Sequence, residues 1–273
     1  MVAPENLVFD GLEDQRHSKG KEAGVVFCWM PEMIRFRIDA AEQVGFDAEI
    51  AKRLLPYLEK GAHVCDAGCG LGYLGIALAK AGFRVTAVDE SAQALEVLKH
   101  NAAKQGLANL AVQQGDLFSM EPGEPYDAMV FCFFGHTLQT LQAIKNQCGG
   151  KAFLIKKNWS HHRFALGKRR LEKDTFAAAT AELDGLGVPY ETACFDVEMG
   201  QPFRSLSDAA AFFSIDGKEA APGSQTQVAS RLAPGNSPAF PYYLPAYRPL
   251  GLIIVNAQDI LDTVNGIQIS SYQ

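Results

Sequence analysis

Val64-Cys65-Asp66-Ala67-Gly68-Cys69-Gly70-Leu71-Gly72 is the stretch on which the fold turns. It begins inside a short apolar run, His63 to Asp66, that reads as a buried strand, and it leads into a helical pattern lasting to about Ala81. Between the two lie Gly68, Gly70 and Gly72. Glycine lets a backbone turn tightly and lets another group approach it closely. A glycine-rich passage from strand to helix marks the crevice where open α/β sheets bind their ligands.

Working outward, the same alternation repeats. Phe83 to Asp89 predicts a second strand, and Ser91 caps a helix whose Leu95, Leu98 and Ala102 share a face before Gly106 ends it. Leu110 to Gln114 is a third strand and Tyr126 to Phe134 a fourth, strongly apolar one. Leu138, Leu141 and Ile144 make Thr137 to Cys148 helical, and Gly149-Gly150 stops it. Lys151 to Ile155 is a fifth strand, followed by a helix from about Leu171 to Leu186. Upstream, Asp47 is expected to cap a helix carrying Ile50, Leu54 and Leu58, kinked by Pro56 and ended by Gly61. Val25 to Ile38 is apolar and of no clear form. Apolar strands alternating with amphipathic helices imply a doubly wound, mostly parallel sheet covered on both faces.

Downstream the pattern loosens. Tyr190 to Val197 reads as a strand, and Ser205-x-x-Asp208 opens a short helix to about Phe213. Gly217 to Pro241 is rich in Pro, Gly and Ser without a period, and Leu250 to Val255 is a last buried strand. Four parts follow: residues 1–45 as an N-terminal segment and lid candidate, 46–200 as the ligand-binding domain, 201–249 as an insertion and second lid candidate, and 250–273 as the last strand and tail.

Composition sets the outer limits. The chain has 273 residues, 48% of them hydrophobic and 21% charged, ordinary values for a globular protein. A net charge of -6 argues against a general nucleic-acid-binding surface. Met1 to Gly24 is too polar for a secretory signal, and no run reaches the roughly 18 apolar residues of a membrane helix. Six cysteines without a C-x-x-C pair suit a reduced, cytoplasmic protein.

Two nucleotide ligands compete for the glycine loop. Gly70-Leu71-Gly72-Tyr73-Leu74-Gly75 satisfies the dinucleotide pattern G-x-G-x-x-G, which taken alone is a weak match. Asp66 weighs against it, because a carboxylate ahead of the glycines repels a pyrophosphate but suits the cationic amino group of S-adenosylmethionine. Asp89, placed to bond two ribose hydroxyls, follows Gly75 by fourteen residues, short of the ~20 of the dinucleotide fingerprint. In Gly115-Asp116-Leu117 the acid can accept from an adenine amino group while Leu117 packs on the ring. Three acids at three successive strand ends suit one adenosyl ligand with a cationic tail.

Residues 62 to about 134 thereby resemble the cofactor half of class I S-adenosylmethionine-dependent methyltransferases. The resemblance rests on the D-x-G-x-G-x-G loop at Asp66 to Gly72, Val88-Asp89, Gly115 to Leu117, and Tyr126-Asp127 opening the fourth strand. It implies a seven-stranded Rossmann-like sheet with S-adenosylmethionine as cofactor. It further implies Asp66, Gly68 and Gly70 around the methionine part, Asp89 on the ribose and Asp116 by the adenine. Cys69, Glu90, Leu117 and Phe133 complete the expected cofactor set.

The acceptor of such an enzyme approaches over the end of the fourth strand, here Phe131-Cys132-Phe133-Phe134-Gly135-His136-Thr137. The segment lacks the N-P-P-Y motif of enzymes that methylate amide or exocyclic amine nitrogens. His136 is the general-base candidate, with helix capping as its structural alternative. Trp159, Arg35 and Tyr243 are the substrate-side candidates, with Trp29, Arg37, Tyr242, Tyr247 and Arg248 as further lid residues. Lys156 to Arg170 holds a dense basic run able to recognise a carboxylate, a phosphate or RNA. His161-His162 are adjacent, not spaced at i, i+4, so no metal site is expected. The expected function is methyl transfer to a small molecule, with no membrane, nucleic acid disfavoured and a homodimer allowed. The alternatives are RNA or protein methylation through the basic run, an NAD-dependent oxidoreductase, and a non-catalytic partner subunit, against which the intact acids speak.

Overall fold

The computed structural model describes residues 29–159, 174–215 and 225–264. It opens with α1 (Pro31–Gln43), whose Pro31 supplies a fixed φ where a missing N–H costs nothing. After Gly45 in the left-handed region comes α2 (Phe46–Leu54), and Pro56 falls in a 3-10 turn over Leu55–Tyr57. Asp47 therefore lies inside the first turn instead of capping it; its carboxylate is taken by Arg37 at 2.5 Å.

The alternation follows as β1 (His63–Ala67), α3 (Tyr73–Lys80), β2 (Arg84–Asp89), α4 (Ala92–Lys104), β3 (Leu110–Gln114), β4 (Tyr126–Cys132), α5 (Thr137–Gln147) and β5 (Cys148–Lys157). Ser91 caps α4 as expected, its Oγ accepting from the Ala94 N–H at 3.2 Å. Then come α6 (Phe176–Leu186), β6 (Glu191–Glu198), β7 (Gln201–Phe203), α7 (Leu206–Ile215), α8 (Gln225–Ala229), β8 (Ala233–Ser237), β9 (Phe240–Leu244), β10 (Tyr247–Asn256) and α9 (Ala257–Val264).

The seven-stranded sheet runs β3-β2-β1-β4-β5-β10-β6, parallel except for β10, which is antiparallel to both its neighbours. Strand order reverses between β1 and β4, and that switch point opens the ligand crevice at their carboxyl ends. Two apolar layers explain why the strands read as unbroken apolar runs. On one face Ile50, Leu54, Leu74 and Leu78 pack on Val64, Val130, Phe153 and Leu252. On the other, Leu141, Ile144, Leu183 and Ile260 pack on Cys65, Met129, Leu154 and Ile253. No helix among the described residues is long and apolar enough to cross a membrane.

Between β6, which ends at the ligand end of the sheet, and β10, which starts there, the chain builds a small second body. Its three strands run β7-β9-β8, and Ala233–Ser237, poor in strand formers, is held in a strand by the aromatic β9. The stretch expected to be without a period thus holds α8, β8 and the start of β9 among its described residues. The body is joined to the N-terminal segment. Phe36 of α1 meets Phe203 and Phe212 edge-on at 6.1 and 5.0 Å, and Gln201 donates to the Phe36 carbonyl at 3.0 Å. Both Arg204 terminal nitrogens bond the Asp39 carboxylate, and Arg35 pairs with Asp208 at 2.5 Å. Burial still raises the Asp39 pKa, against the pull of those two guanidinium groups. The two segments expected as separate lids are packed against each other.

Candidate functional site

Gly68, Gly70 and Gly72 all take positive φ (62°, 54° and 72°), so the loop needs their freedom. Asp89, at the end of β2, fastens the loop: its Oδ2 accepts from the Gly70 N–H at 2.8 Å and its Oδ1 from the Ser91 N–H at 2.9 Å. Each oxygen keeps a lone pair for a further donor such as a hydroxyl. Asp116, just past β3, accepts from the Phe118 N–H at 3.0 Å in an Asx turn. Asp66 ends its run in β1. The three acids therefore stand at the carboxyl ends of three adjacent strands.

Aromatic rings wall this loop. A side chain at Gly68 would overlap the Phe134 ring, and one at Gly70 would lie 2.9 Å from Trp29. Phe134 stacks on Phe118, centroids 5.1 Å apart. Leu117, expected against the adenine, is only 1% exposed and belongs to the core; its neighbour Phe118 is the ring on the crevice side. Glu90 is exposed beyond β2, and Cys69 is partly buried with its thiol pKa pushed up by that burial.

The buried polar atoms test whether this crevice suits a zwitterionic amino-acid tail. Arg37 stacks over the Phe46 and Tyr73 rings and pairs with Asp47, yet its Nη1 and the Asp47 Oδ2 are buried without a hydrogen-bond partner. The Asp66 Oδ2 is buried and likewise unpaired. Such groups are rare in native proteins because each costs about 1–3 kcal/mol. One donor and two carboxylate oxygens match the carboxylate and ammonium of methionine, so the residues fit S-adenosylmethionine.

Burial raises the Asp66 pKa to about 7, with Asp47 and Asp89 adding to it and the Gly75 N–H opposing it. The sign follows directly. Below about 7 the free site holds Asp66 protonated, whereas an ammonium ligand favours the ionised form, so binding releases a proton. Affinity for S-adenosylhomocysteine is expected to rise with pH up to about 7, by at most roughly tenfold per unit, and to level off above. Calorimetry in buffers of different ionisation enthalpy reads both the slope and the proton. A flat profile in wild type, or an unchanged slope in Asp66→Asn, would remove Asp66 from this role.

At the acceptor end, Phe133 takes φ 57° and leaves β4 with 37% of its surface exposed. The loop behind it is pinned from below: Lys156 of β5 is 1% exposed and its Nζ donates to the Gly135 carbonyl at 2.8 Å, burial lowering its pKa. Lys156 is thus withdrawn from the basic run, of which residues 160–170 lie outside the described part. His136 occupies the N-cap position of α5 without a side-chain cap bond. Its Nδ1 instead lies 2.6 Å from the Asp174 Oδ1, and the ring is exposed. Asp174, itself at φ 56°, is held by the adjoining Thr175–Lys157 bridge. Nothing in the sequence pattern signals Asp174, which is 38 residues away and follows no motif.

The three substrate-side candidates part company. Trp159 stands just past β5, its ring edge-on to Phe133 at 6.5 Å. Arg35 and Tyr243 each engage a protein carboxylate. Arg35 pairs with Asp208 and stacks on Phe36, while the Tyr243 hydroxyl donates to Glu198 at 2.6 Å.

A family model described as a methyltransferase domain matches residues 58–184. The chain is 30% identical over 131 residues to a ribosomal RNA small subunit methyltransferase G of Alkalilimnicola ehrlichii, covering 46% of this chain and 58% of that one. It is 33% identical over 126 residues to a ubiquinone biosynthesis O-methyltransferase of Coxiella burnetii, covering 41% and 53%. It spans little more than half the length of these curated relatives. The crystal structure of the YcgJ protein of Bacillus subtilis aligns over 77% of this chain and 98% of its own, at 14% identity and a TM-score of 0.49. The matched segment runs from before the glycine loop to α6 and takes in all three strand-end acids and the β4 loop. Over residues 58–184 the chain is thus similar to a methyltransferase domain, and this segment carries the glycine loop and strand-end acids on which the resemblance to class I S-adenosylmethionine-dependent methyltransferases rests.

Proposed function

We propose that this chain methylates a small-molecule acceptor admitted between the lid and the carboxyl ends of β4 and β5. The observation that carries the proposal is the lid itself. The insertion closes on α1 through Phe36 and Arg204, and Trp29, at the start of α1, rests on Gly70 of the glycine loop. A roof tied to the cofactor loop favours a small enclosed acceptor over a polymer lying across the crevice. The likeness to an O-methyltransferase of ubiquinone biosynthesis supports the same reading.

S-adenosylmethionine, when bound, supplies a methyl group already activated on a sulfonium. What the chain must add is alignment and, for a hydroxyl or amine acceptor, removal of a proton. Arg37, Asp47 and Asp66 hold the amino-acid end and Asp89 the ribose. His136 takes the proton at Nε2, because Asp174 accepts from Nδ1–H and fixes that tautomer.

The test supplies S-adenosylmethionine labelled in its methyl group together with a fraction of small metabolites, total RNA or total protein. Label is expected in a product of the small-molecule fraction that resists nuclease and protease. Label in RNA or protein alone would contradict the proposal and favour a polymer acceptor.

A further inference from the structure

Among the described residues, three more buried polar atoms lack a partner: Thr140 Oγ1 beside Gly135, Trp159 Nε1 and Arg248 Nε. The last two belong together. Leu250 of β10 stands opposite Lys157 of β5, and the pairing runs on, the Asn158 N–H donating to the Pro249 carbonyl at 3.2 Å. One step further brings Trp159 level with Arg248, at the ligand end of the sheet. They also share a face. Trp159 packs on the layer containing Leu250 and Leu252, and Arg248 stands opposite Val197 of that same layer. The edge-on contact of Trp159 with Phe133 joins the pair to the loop after β4, where the acceptor enters.

An indole N–H and a guanidinium N–H are donors only. Two buried donors on neighbouring positions of one face, with no acceptor for either among the described residues, suit an oxygen-bearing ligand. A second cation stands near. Arg231, stacked on Phe213 of the lid, has its pKa lowered first by burial and then by the nearby charge of Arg248, so the lid brings a second guanidinium toward the first.

We infer that Trp159 and Arg248 form a subsite for a carboxylate on the acceptor, which makes the acceptor an organic acid. This rests on the methyltransferase reading of the neighbouring crevice. Two donors from separate side chains match the two oxygens of one planar carboxylate, whereas a phosphate offers more acceptors than this pair can engage.

The probe is benzoate, titrated into the full chain with and without saturating S-adenosylhomocysteine, with inorganic phosphate titrated separately. Benzoate is expected to bind wild type, and Arg248→Met and Trp159→Phe are each expected to weaken it at least tenfold while S-adenosylhomocysteine binds as before. Without ligand, neither variant should melt lower than wild type, because each removes a buried unpaired donor and leaves a side chain of similar shape. A merely structural role for either residue would instead lower the melting temperature. The inference is overturned if benzoate fails to bind, if it binds both variants as well as wild type, or if phosphate binds and benzoate does not. Failure of S-adenosylhomocysteine alone would strike the methyltransferase reading and leave the benzoate result legible.

Discussion

Replacing His136 with alanine is expected to lower kcat by about 10²–10⁴-fold while leaving the affinity for S-adenosylhomocysteine unchanged. The ring projects into solvent beside the β4 loop, so its removal opens no cavity and the fold should keep its stability within about 0.5 kcal/mol. The position of Asp174 makes the prediction more specific. At 2.6 Å from Nδ1 its carboxylate holds the proton there and presents Nε2 as the base. Asp174→Asn can donate to Nδ1 instead and select the other tautomer, so kcat is expected to fall roughly ten- to hundredfold with KM for the acceptor little changed. Steady-state kinetics across pH checks both variants. A kcat within twofold of wild type for His136→Ala would return the histidine to the plain helix-start role.

The second large effect is expected at Asp89. Alanine there removes two backbone N–H partners, from Gly70 and Ser91, together with the acceptor offered to the ribose. Hydrogen bonds to a charged group contribute about 1.5–3 kcal/mol each, so losing those to the ligand and to the loop that shapes its site should weaken S-adenosylhomocysteine at least ~100-fold. Asp89→Asn keeps the size and one acceptor oxygen and should fall between. The loss should appear in binding and much less in melting, since the loop is local and the layers on both sheet faces do not depend on it. Undiminished binding by Asp89→Ala would show that the acid serves only to fasten the loop.

These residues differ in how far the sequence announces them. Asp66, Asp89 and Asp116 are legible because each stands at or within two residues of a strand end, and strand ends follow from apolar runs stopped by glycine or acid. Ser91 and Ser205 announce their helices by the same local logic, and both side chains accept the N–H three residues on. Asp47 misleads because Gly45, in the left-handed region, starts the helix before it, freeing the carboxylate to pair with Arg37. The contact between the N-terminal segment and the insertion is invisible for another reason. Phe36 and Phe203 lie far apart in the chain, and no local pattern encodes a contact made by two edges of a tertiary structure. Leu117 shows a limit of another kind: the side chain expected against the adenine turns into the core, while Phe118 next to it stacks on Phe134. Asp174 and the Trp159–Arg248 pair are visible only once β5, β10 and the β4 loop are side by side.

The most direct test of the central claim is a calorimetric titration of the purified chain with S-adenosylhomocysteine and, separately, with NAD and NADH. Saturable binding of S-adenosylhomocysteine at one site per chain, with no heat from either dinucleotide, is the predicted result. Binding of NADH with silence from S-adenosylhomocysteine would contradict it, and would assign the glycine loop to a pyrophosphate despite the carboxylate of Asp66.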